Sequence, residues 1–266
     1  MTPGSPSARE PGQVRRDFPP IFVINLRRTR ARRDSVGAAF AELGLEFEFV
    51  DAVDGSTLTP AQRACYSQWR ALFEMGRPMG RGMLGCSLSH LGVYERMSRE
   101  QIEVAAVFED DIAPGPELPI LLSSLSALPT DWQVFTLHSL FPSSSPRPIP
   151  GPPIIAGHRV CTYARVPFGT QGYAITLSGA RRALDVGYPV AFPPDELLFR
   201  RRPAGLRVYG IEPSVLVHRG VDSEIHAQPL PVVPDRRVRR PVERLVVVAG
   251  KVSARARSRL DSFRRT

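Results

Sequence analysis

The sequence predicts an α/β fold in which a mixed, mostly parallel sheet is flanked by helices. The first observation is a strand–helix–strand pattern, with an apolar run at 20–26, apolar side chains at helical spacing over 36–43, and alternation at 46–50. Short joints between such elements favour parallel neighbouring strands with helices on the faces of the sheet. The second observation is the apolar run at 104–108, which is typical of a strand buried on both faces.

Later segments continue the alternation of helices and strands. The pattern predicts a helix that gives way to a loop within 59–79, and helices at 88–99, 118–128 and 177–185. It also predicts a helix start at 192–198 and strands at 132–137, 172–176, 206–211 and 214–218. Residues 141–153 are rich in Pro and Ser, so we expect a long loop of the kind that lies over a site.

Composition bounds the class of protein. A chain of 266 residues with a hydrophobic fraction of 42% suits a soluble globular protein with one large core or two small ones. No apolar run approaches the roughly 20 residues that span a bilayer. Residues 1–18 lack the apolar core of a signal peptide and are predicted to be disordered. We therefore expect a cytoplasmic location, and we expect the three cysteines to be reduced structural thiols.

The positive charge belongs to the end of the chain. Residues 229–266 hold 11 Arg or Lys against 3 Asp or Glu, so the rest of the chain is nearly neutral and no nucleic-acid partner is expected. Apolar residues at helical spacing in this tail are typical of an amphipathic helix on an anionic membrane surface, which would make the protein peripheral on the inner face of the membrane. A helix packed on the main domain and a disordered basic tail remain open alternatives.

Three consecutive carboxylates, those of Glu109, Asp110 and Asp111, end the strand predicted at 104–108. Mutual repulsion of the three groups would be relieved by a divalent cation, and hard oxygen ligands suit Mg²⁺ or Mn²⁺ shared with the phosphates of a substrate. A solvated acidic turn is the alternative.

Other polar residues lie where ligands of such sheets bind, near the carboxyl ends of strands. Among them are Asn25, Arg32, Arg33, Asp51 and Asp54. The segment 82–90 is predicted to be a glycine-bearing turn that leads into a helix, whose free N–H groups favour an anion. Its His90 could equally be a structural histidine. A second glycine-rich loop, 166–172, precedes the strand at 172–176.

In order and spacing, these segments resemble glycosyltransferase family 25, which includes lipooligosaccharide galactosyltransferases of bacteria and collagen galactosyltransferases of animals. The resemblance covers roughly residues 20–220. It is carried by Ile24-Asn25-Leu26 with Arg32-Arg33, Phe49-Val50-Asp51-Ala52, Gly85-Cys86-Ser87-Leu88-Ser89-His90, Val107-Phe108-Glu109-Asp110-Asp111, Gly169-Thr170-Gln171-Gly172-Tyr173-Ala174-Ile175, Pro194-Asp195, and Pro213 to His218.

The resemblance implies a GT-A-like, Rossmann-related fold over a catalytic domain at 19–228. It also implies a UDP-sugar donor, most often UDP-galactose, a Mn²⁺ (or Mg²⁺) cofactor, and inverting transfer to a glycan or glycolipid acceptor such as a cell-surface lipooligosaccharide. The metal would be held by Asp111 with Glu109 or Asp110, and His218 would be a further ligand. Asp195 would be the general base, with Glu196 as second choice. The residues expected at the donor are Asn25, Arg32, Arg33, Asp51, Ser89, His90, Gly169, Thr170 and Gly172.

Two other functions fit parts of the pattern. A metal-dependent nucleotidyltransferase also uses carboxylates and a metal at the end of a strand. A non-catalytic glycan- or lipid-binding module on a transferase fold could use the basic tail for binding.

Overall fold

The computed structural model describes residues 18–138, 148–163, 168–199 and 204–218. Its helices are α1 (Arg30–Glu42), α2 (Pro60–Ala64), α3 (Gln68–Met75), α4 (Arg81–Glu100), α5 (Leu118–Ser123), α6 (Leu177–Gly187) and α7 (Pro194–Phe199). Its strands are β1 (Ile21–Asn25), β2 (Glu48–Asp51), β3 (Val104–Glu109), β4 (Ile112–Pro114), β5 (Val134–Thr136), β6 (Ile149–Ile155), β7 (His158–Thr162), β8 (Gly172–Thr176), β9 (Val208–Glu212) and β10 (Leu216–His218).

Eight strands form one sheet in the order β2-β1-β3-β8-β5-β9-β7-β6, and β4 pairs with β10 in a second, two-stranded sheet. In the large sheet β1 is parallel to β2 and β3, and β5 is parallel to β9, whereas β8 and β7 run antiparallel to their neighbours. Six of the eight strands therefore point the same way. The predicted α/β class with a mixed, mostly parallel sheet is confirmed.

Helices cover both faces of this sheet because its central strands are apolar on both sides. Along β3, Ala105 and Val107 pack into a core that includes buried residues of α4, α6 and α7. Ala106 and Phe108 point the other way, into a core that includes buried residues of α1 and α5. The side chains of β3 before Glu109 are all apolar, so its one polar side chain lies at its carboxyl end.

The helix predicted within 59–79 is two helices. The side chain of Ser67 accepts a hydrogen bond from the backbone N–H of Arg70 at 3.3 Å and so caps a new helix, α3, after α2 has ended. Gly76, at φ 72°, ends α3 in the left-handed conformation that glycine adopts without strain.

The turn predicted at 82–90 is wrong, because those residues lie inside α4, which begins at Arg81. The glycine has a packing reason instead. A Cβ added to Gly85 would lie 2.5 Å from the backbone oxygen of Val53 and 2.9 Å from the backbone nitrogen of Gly55, so the helix and the segment after β2 meet backbone to backbone.

The loop predicted at 141–153 is also partly wrong. Residues 149–155 form β6, the edge strand of the large sheet, and pair with β7. Prolines are tolerated on an edge strand because the missing N–H groups need no partner on the open side. Residues 139–147 lie outside the described part of the chain.

The ends of the chain lie mostly outside the described residues. Of the segment predicted to be disordered, only Phe18 is described, and its ring packs against the core on the α1 face of the sheet. The basic tail at 229–266 is wholly outside. None of the helices described has the length and apolar character needed to cross a membrane. All three cysteines are free thiols.

The close approach of α4 to the segment after β2 leads to a stability prediction. We expect Gly85→Ala to lower the free energy of unfolding by about 1–3 kcal/mol, because neither backbone neighbour can yield to a methyl group cheaply. Gly92→Ala is the matched control, since Gly92 is an exposed residue of the same helix whose added Cβ would have nothing within 4 Å. Relief of glycine's entropy cost should raise stability in that variant by up to about 1 kcal/mol. Urea unfolding midpoints measure both effects, and equal stability of the two variants would contradict the predicted contact.

Candidate functional site

A cavity of about 420 Å³ opens at the carboxyl ends of β1, β2 and β3, beside the start of α4. Its lining includes polar residues from all four elements and the segments that follow them, namely Arg28, Arg32, Asp54, Ser56, Arg81, Cys86, Ser89, His90, Glu109, Asp110 and Asp111. A second cavity of about 430 Å³ lies at the amino ends of β1 and β2, and its titratable groups are only Glu46 and Glu48. The chemistry is therefore concentrated in the first cavity.

The carboxylate of Asp110 is held by the joint between β1 and α1. Its Oδ2 accepts a hydrogen bond from the Asn25 amide at 2.6 Å and lies 3.1 Å from the Thr29 hydroxyl. Its Oδ1 lies 3.4 Å from the Arg32 guanidinium. These contacts give Asp110 a role in tying two strands together. Asp110 is thus the least suited of the three predicted carboxylates to a metal.

Glu109 points the other way, toward α4 and the loop before β8. Its Oε1 accepts a hydrogen bond from the Thr170 hydroxyl at 2.6 Å and lies 3.5 Å from Nε2 of His90. Nδ1 of His90 is 2.7 Å from the hydroxyl of Tyr173, which is 2.6 Å from that of Tyr94. Burial on its own would raise the pKa of Glu109, but the interactions with His90 and Thr170 outweigh burial and hold that pKa below its ordinary value.

Asp111 lines the same cavity, in the turn between β3 and β4. In the two-stranded sheet, the backbone of His218 pairs with that of Ile112, the residue after Asp111. His218, which was predicted as a further metal ligand, therefore lies one residue away from the position opposite Asp111. The side chain of His218 lies outside the described part of the structure.

One or two of these carboxylates could bind a divalent cation, but the three together do not surround a single position. Glu109 and Asp111 both line the cavity, and Mg²⁺-type ions are commonly held by one or two carboxylates together with the phosphates of a substrate. Within the described ranges, the group of three ligand atoms that all lie within 4.8 Å of one another comes from Cys86, His90 and Glu109 instead. A metal held by all three consecutive carboxylates does not fit this arrangement.

The residues predicted at the donor divide into those that line the cavity and those that support it. Arg32, Ser89 and His90 line it. Ser89 also accepts a hydrogen bond from the backbone N–H of Val53 at 2.8 Å, which ties α4 to the segment after β2. Asn25 is buried behind Asp110.

Two predicted donor residues lie elsewhere. The guanidinium of Arg33 stacks on the ring of Phe49, 3.9 Å from its centroid. Asp51 forms an exposed ion pair with Arg27, and that interaction lowers the pKa of Asp51. Sequence position alone put both near strand ends, but their side chains are outside the lining of the cavity.

The loop before β8 connects Asp195 to Glu109. Asp195 accepts hydrogen bonds from the backbone N–H of Gly169 at 3.2 Å and from that of Glu196 at 2.9 Å. Gly169 has φ 80°, which favours glycine, and the next residue, Thr170, binds Glu109. An added Cβ on Gly172 would meet core side chains at 2.2 Å, which explains that glycine by packing.

The thiol of Cys86 lies among the acidic groups. Burial raises the pKa of Cys86 well above its ordinary value, and the negative charges of Glu109, Asp195 and Asp111 raise it further. Asp195, which belongs to α7, is not among the residues that line the cavity, but its negative charge contributes to the raised pKa of Cys86.

Three lining residues, Arg28, Arg81 and Cys86, were not predicted as site residues, and Asp54 was predicted only to lie near a strand end where ligands bind. Asp54 accepts hydrogen bonds from Arg28 at 2.8 Å and from the backbone N–H of Ser56, also at 2.8 Å. Arg81 lies at the first turn of α4, and Cys86 one turn later. Asp54 follows a predicted strand, and Cys86 belongs to a segment that carries the family resemblance, but sequence position alone assigned a partner to neither residue.

Comparisons with known proteins identify relatives of this chain. A sequence model of the family described as "Glycosyltransferase family 25 (LPS biosynthesis protein)" matches residues 18–141. The chain is 32% identical over 193 residues to procollagen galactosyltransferase 1-A of Xenopus laevis, covering 68% of this chain and 30% of that protein. It is 28% identical over 191 residues to procollagen galactosyltransferase 2 of Homo sapiens, with coverage of 68% and 30%. It is 29% identical over 218 residues to a glycosyltransferase 25 family member of Drosophila melanogaster, with coverage of 73% and 33%.

The chain thus spans about a third of the length of these curated relatives. Among solved structures, the crystal structure of a glycosyltransferase involved in the glycosylation of the major capsid of PBCV-1 aligns with a TM-score of 0.40 at 12% identity, over 77% of this chain and 95% of that one. The match over residues 18–141 includes both the β1–α1 joint and the carboxylates at the end of β3. This chain belongs to family 25 of the glycosyltransferases.

Proposed function

We propose that this protein is an inverting, metal-dependent glycosyltransferase that moves a hexose, galactose in the first instance, from a UDP-sugar to a hydroxyl group of a glycan or glycoconjugate. The observation that carries the proposal is one cavity of about 420 Å³ that contains the carboxylates of Glu109 and Asp111 together with three arginines, Arg28, Arg32 and Arg81. Such a mixture suits a ligand with a charged diphosphate and a polar sugar.

The arginines and the start of α4 suit the diphosphate. Guanidinium groups bind phosphate oxygens through two parallel hydrogen bonds, and the amino end of a long helix favours negative charge. Arg81 and Gly82 occupy that helix start and line the cavity. Glu109 and Asp111 would repel the diphosphate on their own. A bound Mn²⁺ or Mg²⁺ would supply charge neutralisation of the departing UDP, with Glu109 and Asp111 as its protein ligands.

Inversion requires a base on the side of the sugar opposite the leaving UDP. The oxygen of the acceptor forms the new bond to the anomeric carbon, the bond from that carbon to the diphosphate breaks, and the proton of the acceptor passes to the base. Asp195 suits the role of this base because the backbone N–H groups of Gly169 and Glu196 hold its carboxylate in place. The loop that orients Asp195 also binds Glu109 through Thr170, so base and metal ligand share a support.

Galactose and the class of acceptor come from the relatives. The proteins compared above are named procollagen galactosyltransferases, and the family description mentions LPS biosynthesis. The first name gives galactose as the sugar and procollagen as the acceptor, and the second gives LPS as the product of the pathway. We propose a lipooligosaccharide-type glycan as the acceptor and a cytoplasmic location on the inner face of the membrane, where the basic residues at 229–266 would meet anionic lipid.

The role of Asp111 can be tested by donor hydrolysis. With UDP-galactose and Mn²⁺ we expect slow release of UDP, and we expect Asp111→Asn to lower that rate by at least about 100-fold, because charge stabilisation of a leaving group is worth this much. Asp185→Asn changes an exposed carboxylate on α6 and should leave the rate unchanged. Unchanged UDP release by Asp111→Asn would refute the metal assignment. Turnover of UTP with release of pyrophosphate would favour a nucleotidyltransferase instead.

The assignment of the base predicts a separation of binding from chemistry. Asp195→Asn should lower the rate of sugar transfer by about 10²–10⁴-fold while the affinity for UDP stays within a few-fold, because the amide keeps the size of the carboxylate and loses its basicity. Glu196→Gln is the neighbouring control, with only a small effect expected. The reverse pattern, with Glu196→Gln inactive and Asp195→Asn active, would assign the base to Glu196.

The proposal for the tail has its own measurement. Removal of residues 235–266 should abolish binding of the protein to vesicles that contain anionic lipid and leave its weak binding to neutral vesicles unchanged, because the attraction comes from the basic residues. Binding to anionic vesicles that is the same with and without these residues would rule out the tail as the membrane contact.

A further inference from the structure

We propose that Cys86, His90 and Glu109 form a binding site for a thiophilic divalent cation, Zn²⁺ by the nature of its ligands, in the wall of the same cavity. The site goes beyond the proposed function, which assigns the donor cation to carboxylate oxygens alone. Soft thiolate and imidazole ligands select Zn²⁺, whereas Mn²⁺ and Mg²⁺ prefer oxygen.

Local structure brings the three ligands together. Cys86 and His90 are four residues apart in α4, so their side chains lie on one face of the helix, one turn apart. Glu109 ends β3 directly opposite, and one potential ligand atom from each residue lies within 4.8 Å of the other two. Nε2 of His90 is 3.5 Å from Oε1 of Glu109. Tetrahedral Zn²⁺ with ordinary bond lengths separates such atoms by about 3.3–3.6 Å, so this pair is already spaced for the ion and Sγ of Cys86 needs a shift on the order of 1 Å.

The ring of His90 supplies independent support. It is 1% exposed, and its Nε2 is buried without a hydrogen-bond partner among the residues that the structure describes. A buried polar atom of this kind is costly unless it binds something. Here Nε2 faces Glu109, so a cation between the two groups would satisfy it.

The surroundings match the support that metal ligands usually receive. Nδ1 of His90 lies 2.7 Å from the Tyr173 hydroxyl, which continues to Tyr94, so an N–H on Nδ1 leaves Nε2 available as a ligand. Glu109 is oriented by the hydroxyl of Thr170 at 2.6 Å. His90 and Glu109 are therefore each oriented by a hydrogen bond that does not involve the ion.

Three protein ligands leave a fourth position open, and the cavity that all three line is the space beside it. An ion held there takes Glu109 away from the donor cation. The site would thus give the protein a zinc-sensitive inactive state, a consequence that depends on the proposed function, whereas binding of the ion does not.

Metal binding by the full chain tests the site directly. Equilibrium dialysis should show one tightly bound Zn²⁺ per wild-type chain, and Co²⁺ in its place should give a thiolate-to-cobalt charge-transfer absorption. Cys86→Ser should lose that absorption and weaken Zn²⁺ binding by at least about 100-fold, more than the loss of a supporting residue costs. Cys65→Ser is the matched control, because Cys65 ends α2 and its Sγ donates to the carbonyl of Ala61. This variant should bind as the wild type does.

A second variant guards against misfolding of the first. Glu109→Gln should weaken Zn²⁺ binding while it keeps the cobalt–thiolate absorption at high Co²⁺, and circular dichroism should show that both variants are folded. Absence of Zn²⁺ binding by the wild type, or an unchanged cobalt absorption in folded Cys86→Ser, would overturn the site. Binding of Zn²⁺ in dialysis, together with no release of UDP from UDP-galactose when Mn²⁺ is present and Zn²⁺ is absent, would refute the proposed function alone.

The inactive state is measured by the ratio of UDP release with and without Zn²⁺ in each protein, in the presence of Mn²⁺. We expect inhibition of at least about 10-fold in the wild type and in Cys65→Ser at saturating Zn²⁺, since loss of one ligand to a competitor weakens the donor cation by this order. Cys86→Ser should require far more Zn²⁺ for the same ratio. Equal sensitivity of Cys86→Ser and the wild type would show that inhibition does not come from this site.

Discussion

The contact between Asp110 and the joint of β1 and α1 is the constraint on which the site depends. The carboxylate is bound by Asn25, lies against Thr29 and pairs with Arg32, so it ties the end of β3 to the neighbouring strand. Successive side chains at the end of a strand point to opposite sides. Because Asp110 points back to β1, its neighbours are directed elsewhere, and Glu109 reaches α4 and the loop before β8. Three consecutive carboxylates therefore have three different surroundings.

Helix α4 supplies the other wall of the cavity, and its small residues allow its backbone to lie against the segment that follows β2. Gly85 allows contact with the backbone after β2, and Ser89 donates to Gly85 and accepts from Val53. Ser87 lies 2.9 Å from the carbonyl oxygen of Phe192, just before α7. The same helix thus contacts both the segment after β2 and the segment that precedes Asp195. Its third turn carries His90 to Glu109.

The buried hydroxyls behind His90 give the site its rigidity. Tyr173 and Tyr94 are fully buried, and each oxygen lies within hydrogen-bond distance of the other. Burial raises the pKa of both phenols, so they act as neutral hydrogen-bonding groups. Both phenol oxygens and Nδ1 of His90 have partners in this chain of hydrogen bonds, and buried hydrogen bonds of this kind hold their members in one arrangement. The orientation of His90 is consequently set by β8 and α4 and not by solvent.

Several elements, and a cluster of polar groups beside them, could be predicted from the sequence alone. Burial imposes periodicity on strands and helices, so the apolar runs predicted β1, β3 and the α/β class, and the residues after such runs predicted polar groups at the carboxyl ends of the strands. The errors at 82–90 and 149–155 arose where glycine and proline serve packing and an edge strand and do not form loops.

Which side chains share the cavity could be seen only once the chain was folded. Asp51 lies on the surface with Arg27, while Asp54, three residues later, lines the cavity with Arg28. Cys86 lies beside Glu109, although the motif at 85–90 indicated a family and not this contact. The physical reason is distance along the chain: Asn25 meets Asp110 across 85 residues, and Thr170 meets Glu109 across 61. Local sequence patterns indicate which face of a helix or strand is buried, but not which other element packs against it. The polar groups of the cavity come together through that packing.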